Sequence, residues 1–189
     1  MAAIGWLNEK TDKVNFLCCG SLISENFVLT AAHCKGSISI GESVLVRLGT
    51  HDLNNGSDET DYEIKRFIMH EKYKSATNSH DIALIELKKN VEFNRTHNLP
   101  ACLHQTKFHG HNFIAFLLNM LTLAMVTVTK IFVTSGGPIQ VRDPEACVYH
   151  VVGVTSYGSK LCGIGKSSIY TDVSPYIDWI QILVWPNEK

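Results

Sequence analysis

With 189 residues, 45% of them hydrophobic and 19% charged, the chain has enough apolar content to bury a globular core and too much to remain disordered. Its formal net charge of −1 leaves no electrostatic footprint for nucleic acid or an anionic membrane surface, so neither partner is expected. Six cysteines and two acceptor sequons, Asn55-Gly56-Ser57 and Asn94-Arg95-Thr96, lean toward an oxidising, secreted setting, although cysteine spacing alone selects no pairing.

In chain order, Met1-Ala2-Ala3-Ile4-Gly5-Trp6-Leu7 lacks the basic head of a secretory signal and is soon followed by Asn8, Glu9 and Lys10. Phe27, Val28 and Leu29 form a strand-like apolar segment that leads into Thr30-Ala31-Ala32-His33-Cys34. His33 therefore stands where a buried strand ends and the chain turns, a place where an imidazole can be held rigidly. Cys18 lies sixteen positions before Cys34, and a bridge between them would pin the histidine loop to the preceding strand.

Val44, Val46 and Leu48 alternate with Leu45 and Arg47. Ile64, Phe67 and Ile68 follow a polar loop, and Ile82 to Leu87 is an apolar run behind Asp81. Short strands between regular turns indicate a closed antiparallel barrel. The loop from His51 to Tyr62, with Asp52, Asp58, Glu59 and Asp61, reads as a solvated acidic loop, and no metal is expected there.

After Pro100 a second half opens with Ala101-Cys102-Leu103. The segment 104–134 fits none of the preceding pattern. His109 and His111 have no third ligand near them, and the apolar stretch 113–128 is shorter than the about 20 residues a membrane helix needs and is interrupted by Asn119, Thr122 and Thr127. Beyond it come Ser135-Gly136-Gly137-Pro138 and Val154-Thr155-Ser156-Tyr157-Gly158. At the far end Ser174 is placed to cap a helix with Pro175 in its first turn, and Ile177, Ile180 and Val184 fall on one face.

His33, Asp81 and Ser135, in that order, are the residue types of a nucleophilic triad. A serine hydroxyl attacks only when a base takes its proton, the task of His33, while a carboxylate at Asp81 fixes the tautomer and stabilises the imidazolium. Each alone is unremarkable, since a serine before two glycines is usually a turn and an aspartate often caps a loop.

Taken with Cys18-Cys19-Gly20-Ser21-Leu22-Ile23, these motifs make the chain resemble a trypsin-like (chymotrypsin-fold) serine protease domain, and Ala101-Cys102-Leu103 and Gly153 to Tyr157 look most like arthropod clip-domain proteases. The resemblance covers roughly residues 2–103 and 134–185. It implies an all-β domain over 1–189, made of two antiparallel six-stranded barrels with a C-terminal helix: a first barrel in 1–100 and a second, incomplete one in 101–189, disrupted at 104–134. It also implies peptide-bond hydrolysis through an acyl-enzyme in an extracellular proteolytic cascade, with no cofactor, protein or peptide substrates and protein inhibitors.

By resemblance the catalytic residues are His33, Asp81 and Ser135, and the oxyanion hole is formed by Val133 and Ser135. Thr129, Ser156, Tyr157 and Gly158 contact substrate, a disulfide joins Cys18 to Cys34, and Cys102 is bridged to a pro-region outside this chain. Ala2 to Leu7 resembles the first strand of a mature domain, so the expectation is that the chain begins at an internal methionine.

The departures count equally. Val133 and Thr134 stand where the family has Gly-Asp, removing the glycine that donates to the oxyanion and the aspartate that receives the new amino terminus. Thr129, at the specificity position, lies in foreign sequence, and Cys147 and Cys162 lose partners that would lie in the replaced block. In relatives the loop at 51–62 binds calcium through an acid at the position of Thr50. The expectation is a weakened enzyme, with a non-catalytic homologue that binds or regulates proteases as the alternative.

Overall fold

The computed structural model describes residues 1–37, 41–49, 53, 60–94, 98–104, 135–142, 149–157 and 169–187. Thr129, Val133, Thr134, Cys147, Gly158, Cys162, His109, His111, Thr50, Asp52, Asp58, Glu59 and Asn55 lie outside the described residues.

The first half contributes β1 (Ala2–Asn8), β2 (Lys13–Leu22), β3 (Phe27–Thr30), the short pair β4 (Gly36–Ser37) and β5 (Gly41–Glu42), β6 (Leu45–Arg47), β7 (Asp61–Met69) and β8 (Ala83–Leu87). Six of these close a barrel in the order β1-β2-β3-β8-β7-β6, every pairing antiparallel, with β6 returning to β1. Closure leaves that sheet without an edge. Ile4, Val28, Leu29, Val46, Ile82, Leu84 and Ile85 are at most 1% exposed, and each contributes about 1.5–3 kcal/mol by leaving water.

β3 and β8 are buried along their whole length, and each carries one buried polar residue in an otherwise apolar run: Thr30, whose hydroxyl donates to Cys19 O, and Glu86, which accepts from Lys65 and Arg66 of β7. The alternation predicted around β6 holds for Val46 and Leu48, which are buried, but Val44 is exposed and Arg47 is not. Arg47 is buried because Asp61 accepts from its Nε and Nη2 at 2.6 and 2.7 Å and its guanidinium lies over the Phe16 ring.

The second half contributes β9 (Cys102–Leu103), β10 (Pro138–Arg142), β11 (Tyr149–Tyr157) and β12 (Ile169–Asp172). β11 is central, antiparallel to β10 on one side and to β12 on the other, with β9 added in parallel at His150–Val151. Among the described residues this sheet does not close, which is the incomplete second barrel expected. Val151, Val154, Val173, Ile177 and Ile180 join the same core as the first barrel, so the two halves share one apolar interior.

The chain ends in a 3-10 turn, Ser174–Tyr176, that runs into helix α1 (Ile177–Val184), whose buried face is Ile177 and Ile180. Ser174 does not cap this helix. Its N–H and hydroxyl both donate to the Asp172 carboxylate, at 2.9 and 3.1 Å, so the hydroxyl faces back along the chain while Pro175 starts the turn.

Candidate active site

β3 delivers the histidine. Its last residue, Thr30, is followed by a 3-10 turn over Ala32–Lys35, and the Cys18–Cys34 disulfide ties this turn to β2. Cys18, His33 and Cys34 bring potential metal donors close together, but the bridge consumes the two thiolates a metal would require.

Asp81 sits on the turn that enters β8, and its side chain is fully buried. Oδ2 lies 2.8 Å from His33 Nδ1, and Oδ1 accepts from the His33 backbone N–H at 3.0 Å, so one carboxylate holds both the ring and the main chain of the histidine. The Ser156 hydroxyl donates to the same Oδ2. Burial by itself would raise the Asp81 pKa, but donors from the His33 ring, the Ser156 hydroxyl and the His33 backbone outweigh it and hold the carboxyl below the usual carboxylate range. Asp81 is thus an ionised group in a dry place, suited to fixing the imidazole with Nδ1 protonated.

Ser135 is placed by its main chain. Its carbonyl accepts from Cys19 N–H of β2 at 2.8 Å, Gly136 N–H donates to Thr155 O at 2.8 Å, and Thr155 N–H donates to Gly137 O at 2.8 Å. Gly136 has φ +76°, and a Cβ there would lie 2.3 Å from Thr30 Oγ1, 2.4 Å from Cys19 O and 3.0 Å from Cys34 Sγ. Only glycine fits, because the serine turn is pressed against the histidine loop. The three predicted catalytic residues are therefore gathered on adjoining turns. Among the described residues no hydrogen bond joins Ser135 to His33, whose Nε2 lies 3.7 Å from Cys34 Sγ.

Ser156 and Tyr157 diverge, as neighbours on a strand do. Ser156 is 3% exposed with its hydroxyl on Asp81, and Tyr157 is 47% exposed. The register between β11 and β12 shifts between Thr155 and Tyr157, leaving the Ser156 backbone out of that pairing.

Sequence reasoning placed Ser156 at the substrate and missed its hold on the aspartate. It also missed Thr171, whose hydroxyl donates to the Asp81 carbonyl at 3.1 Å, and Thr30, whose hydroxyl donates to Cys19 O at 2.7 Å beside the serine turn. Thr30 opens the histidine motif, but nothing local marks its bond to the neighbouring strand eleven residues back, and Thr171 acts across ninety residues.

The trypsin family model matches residues 4–111 and 134–180, with its break inside the segment that fits no other pattern. Serine protease snk of Drosophila melanogaster is 32% identical over 231 aligned positions, covering 96% of this chain and 53% of that protein. The alignment is longer than this chain, so snk carries residues that the chain lacks. Clotting factor G beta subunit of Tachypleus tridentatus is 29% identical, covering 91% of this chain and 72% of its own length. CLIP domain-containing serine protease B4 of Anopheles gambiae is 27% identical, with 89% and 62% covered. The chain thus spans about half the length of snk and under two thirds of the Anopheles protease. Among solved structures, the Drosophila Grass clip serine protease of the Toll pathway matches in fold with a TM-score of 0.70 and 22% identity, covering 99% of this chain and 69% of that one.

Proposed function

The chain belongs to the trypsin family of serine proteases, and from that membership we propose that it carries serine endopeptidase machinery, with Ser135 as nucleophile, His33 as general base and Asp81 as the orienting carboxylate. Ser135 Oγ adds to the peptide carbonyl carbon while His33 Nε2 takes its proton. The imidazolium, held by Asp81, returns that proton to the leaving amine, and water then hydrolyses the acyl-enzyme by the same route. By the family pattern this reading assigns the oxyanion hole to positions Val133 and Ser135, the primary pocket to Thr129, and substrate pairing to Ser156, Tyr157 and Gly158. The observation that carries this reading is the double grip of Asp81 on His33, beside a serine turn pressed against the same loop.

This chain hydrolyses peptides weakly. Val133 stands where the family has a glycine whose backbone N–H serves the oxyanion; if the β-branched side chain turns that N–H away, the loss of one donor costs about 10²–10³ in rate. Thr134 offers no carboxylate to an activating amino terminus. The natural setting is extracellular, as the Cys18–Cys34 bridge favours, within a proteolytic cascade whose protein substrates and inhibitors act on the family's cleft. Cys102 is exposed and available for a bridge to a pro-region.

A fluorophosphonate probe tests the assignment. The expected result is labelling of a small fraction of the chain, all of it lost in Ser135→Ala. Stoichiometric labelling at Ser135 would overturn the impairment, and labelling that survives Ser135→Ala would overturn the assignment of the nucleophile. The approach of His33 Nε2 to Cys34 Sγ favours a second reading, a non-catalytic homologue that binds or regulates proteases, and a complete absence of labelling selects it.

A further inference from the structure

His80, which immediately precedes Asp81, has φ +54°, a left-handed conformation that a residue bearing a Cβ keeps only where its surroundings hold it. Its carbonyl accepts from Ile82 N–H at 2.8 Å, closing a tight turn with Asp81 at the apex. The direction of the Asp81 carboxylate therefore depends on what holds His80.

His80 Nδ1 lies 2.8 Å from the Tyr176 hydroxyl, ninety-six residues away in sequence. The His80 ring also stacks on His70, with centroids 5.4 Å apart and planes 15° apart. Tyr176 stands edge-on to both imidazoles, at 4.9 Å from His70 and 5.9 Å from His80, and Trp179 of α1 packs on His70 at 5.1 Å. Two rings from distant parts of the chain, His70 and Tyr176, thus contact the exposed residue that sets the aspartate turn, and Trp179 packs behind His70. Among the described residues, Tyr176 alone combines a ring contact with a directed hydrogen bond to His80.

We propose that Tyr176 is a positioning residue for the His33–Asp81 pair: acting through His80, its hydroxyl fixes the turn from which the Asp81 carboxylate reaches the imidazole. The proposal rests on the catalytic reading of His33 and Asp81. A neutral Nδ1 accepts from the phenol and a protonated one donates to its oxygen, so the link persists in either charge state of His80 and acts as a mechanical tie. Its leverage comes from the short distances at stake, because a displacement of about 1 Å at a catalytic group costs about 10²-fold.

The test is histidine-selective NMR on the full chain, following the low-field Nδ1 proton of His33 and its exchange with water, for the parent chain, Tyr176→Phe, His80→Gly and the double variant. Glycine accepts φ > 0 without strain, so His80→Gly removes the ring without penalising the turn. The expected result is that Tyr176→Phe moves the His33 proton upfield and broadens it by faster exchange with water, as the bond to Asp81 loosens. In the His80→Gly background the same substitution should change neither readout. An unchanged His33 signal in Tyr176→Phe, with or without a fall in melting temperature, overturns the proposal, as does an equal effect in the His80→Gly background. A parent chain with no His33–Asp81 signature overturns it too. None of these readouts requires Ser135 to react, so a failure of the serine chemistry is seen separately, with the fluorophosphonate.

Discussion

Ser156 and Asp81 are seventy-five residues apart in the chain, yet the Ser156 hydroxyl donates to the buried Asp81 carboxylate at the oxygen that also faces His33. A strand of the second half therefore completes the hydrogen bonding of a carboxylate that belongs to the first barrel.

Ser156→Ala should leave that carboxylate one donor short and cost about 1–3 kcal/mol at pH 7. The sign with pH follows from the lowered Asp81 pKa: the stabilisation is present above the unfolded value near about 3.9 and is lost as pH falls through the lower folded value. The gap between parent and variant in urea unfolding should therefore be full at pH 7 and shrink in strong acid. A gap of the same size at pH 7 and pH 2 would refute the account.

Gly136 and Gly41 both have positive φ, +76° and +75°, but a Cβ on Gly41 meets nothing within 4 Å whereas one on Gly136 overlaps Thr30 and Cys19. Gly41→Ala should cost about 1–2 kcal/mol for the backbone alone. Gly136→Ala should add about 1–3 kcal/mol for the overlap, and it should also displace Ser135. Equal denaturation midpoints for the two variants would contradict this.

The Cys18–Cys34 bridge closes a loop across a separation of sixteen residues, which the chain-entropy model values at about 3 kcal/mol. Replacing both cysteines by alanine should lower stability by that order and loosen the His33 turn. Non-reducing peptide mapping that recovers Cys18 and Cys34 as thiols from the folded parent would refute the pairing.

His70 is buried, and its desolvation outweighs the opposing pull of Glu71, so its pKa lies below the ordinary histidine value. Above about pH 6.5 both folded and unfolded chains hold it neutral. Below that the unfolded chain takes the proton first, so stability falls until the folded pKa is reached. His70→Gln keeps an acceptor for the Lys72 N–H and should flatten the loss between pH 7 and 5; an unchanged slope would show that His70 is not its source.

Hydrogen exchange should divide the chain. β1–β3 and β6–β8 lie in a closed ladder, whereas β10 and β12 are outer strands of a sheet that does not close among the described residues. Protection in the barrel strands should exceed that in β10 and β12 by at least about tenfold, and equal protection would argue against a weaker second half.

Much of this was legible in the sequence because it is encoded locally. The apolar runs of β3 and β8, the turn at His33 and the serine-glycine-glycine turn each carry their own signal. The chain order of His33, Asp81 and Ser135 then implied the assembly. Side-chain partnerships across long separations were not legible: Ser156 with Asp81, Thr171 with the Asp81 carbonyl and Tyr176 with His80 depend on how β11, β12 and the final turn dock. The Ser174 cap failed for a local reason, since Ser174 is the first residue inside the 3-10 turn rather than the one before the helix, and its hydroxyl donates to Asp172 two residues earlier.

The serine turn is held from the side and from behind, by Cys19 and Thr155, and none of these three bonds involves a residue of the segment 105–134 that directly precedes it. A graft confined to 105–134 could therefore replace the residues at the oxyanion positions without dismantling the corner that carries the nucleophile. That makes the chain a ready recipient for a relative's corresponding segment, with the barrel and the β10–β12 sheet kept as they stand.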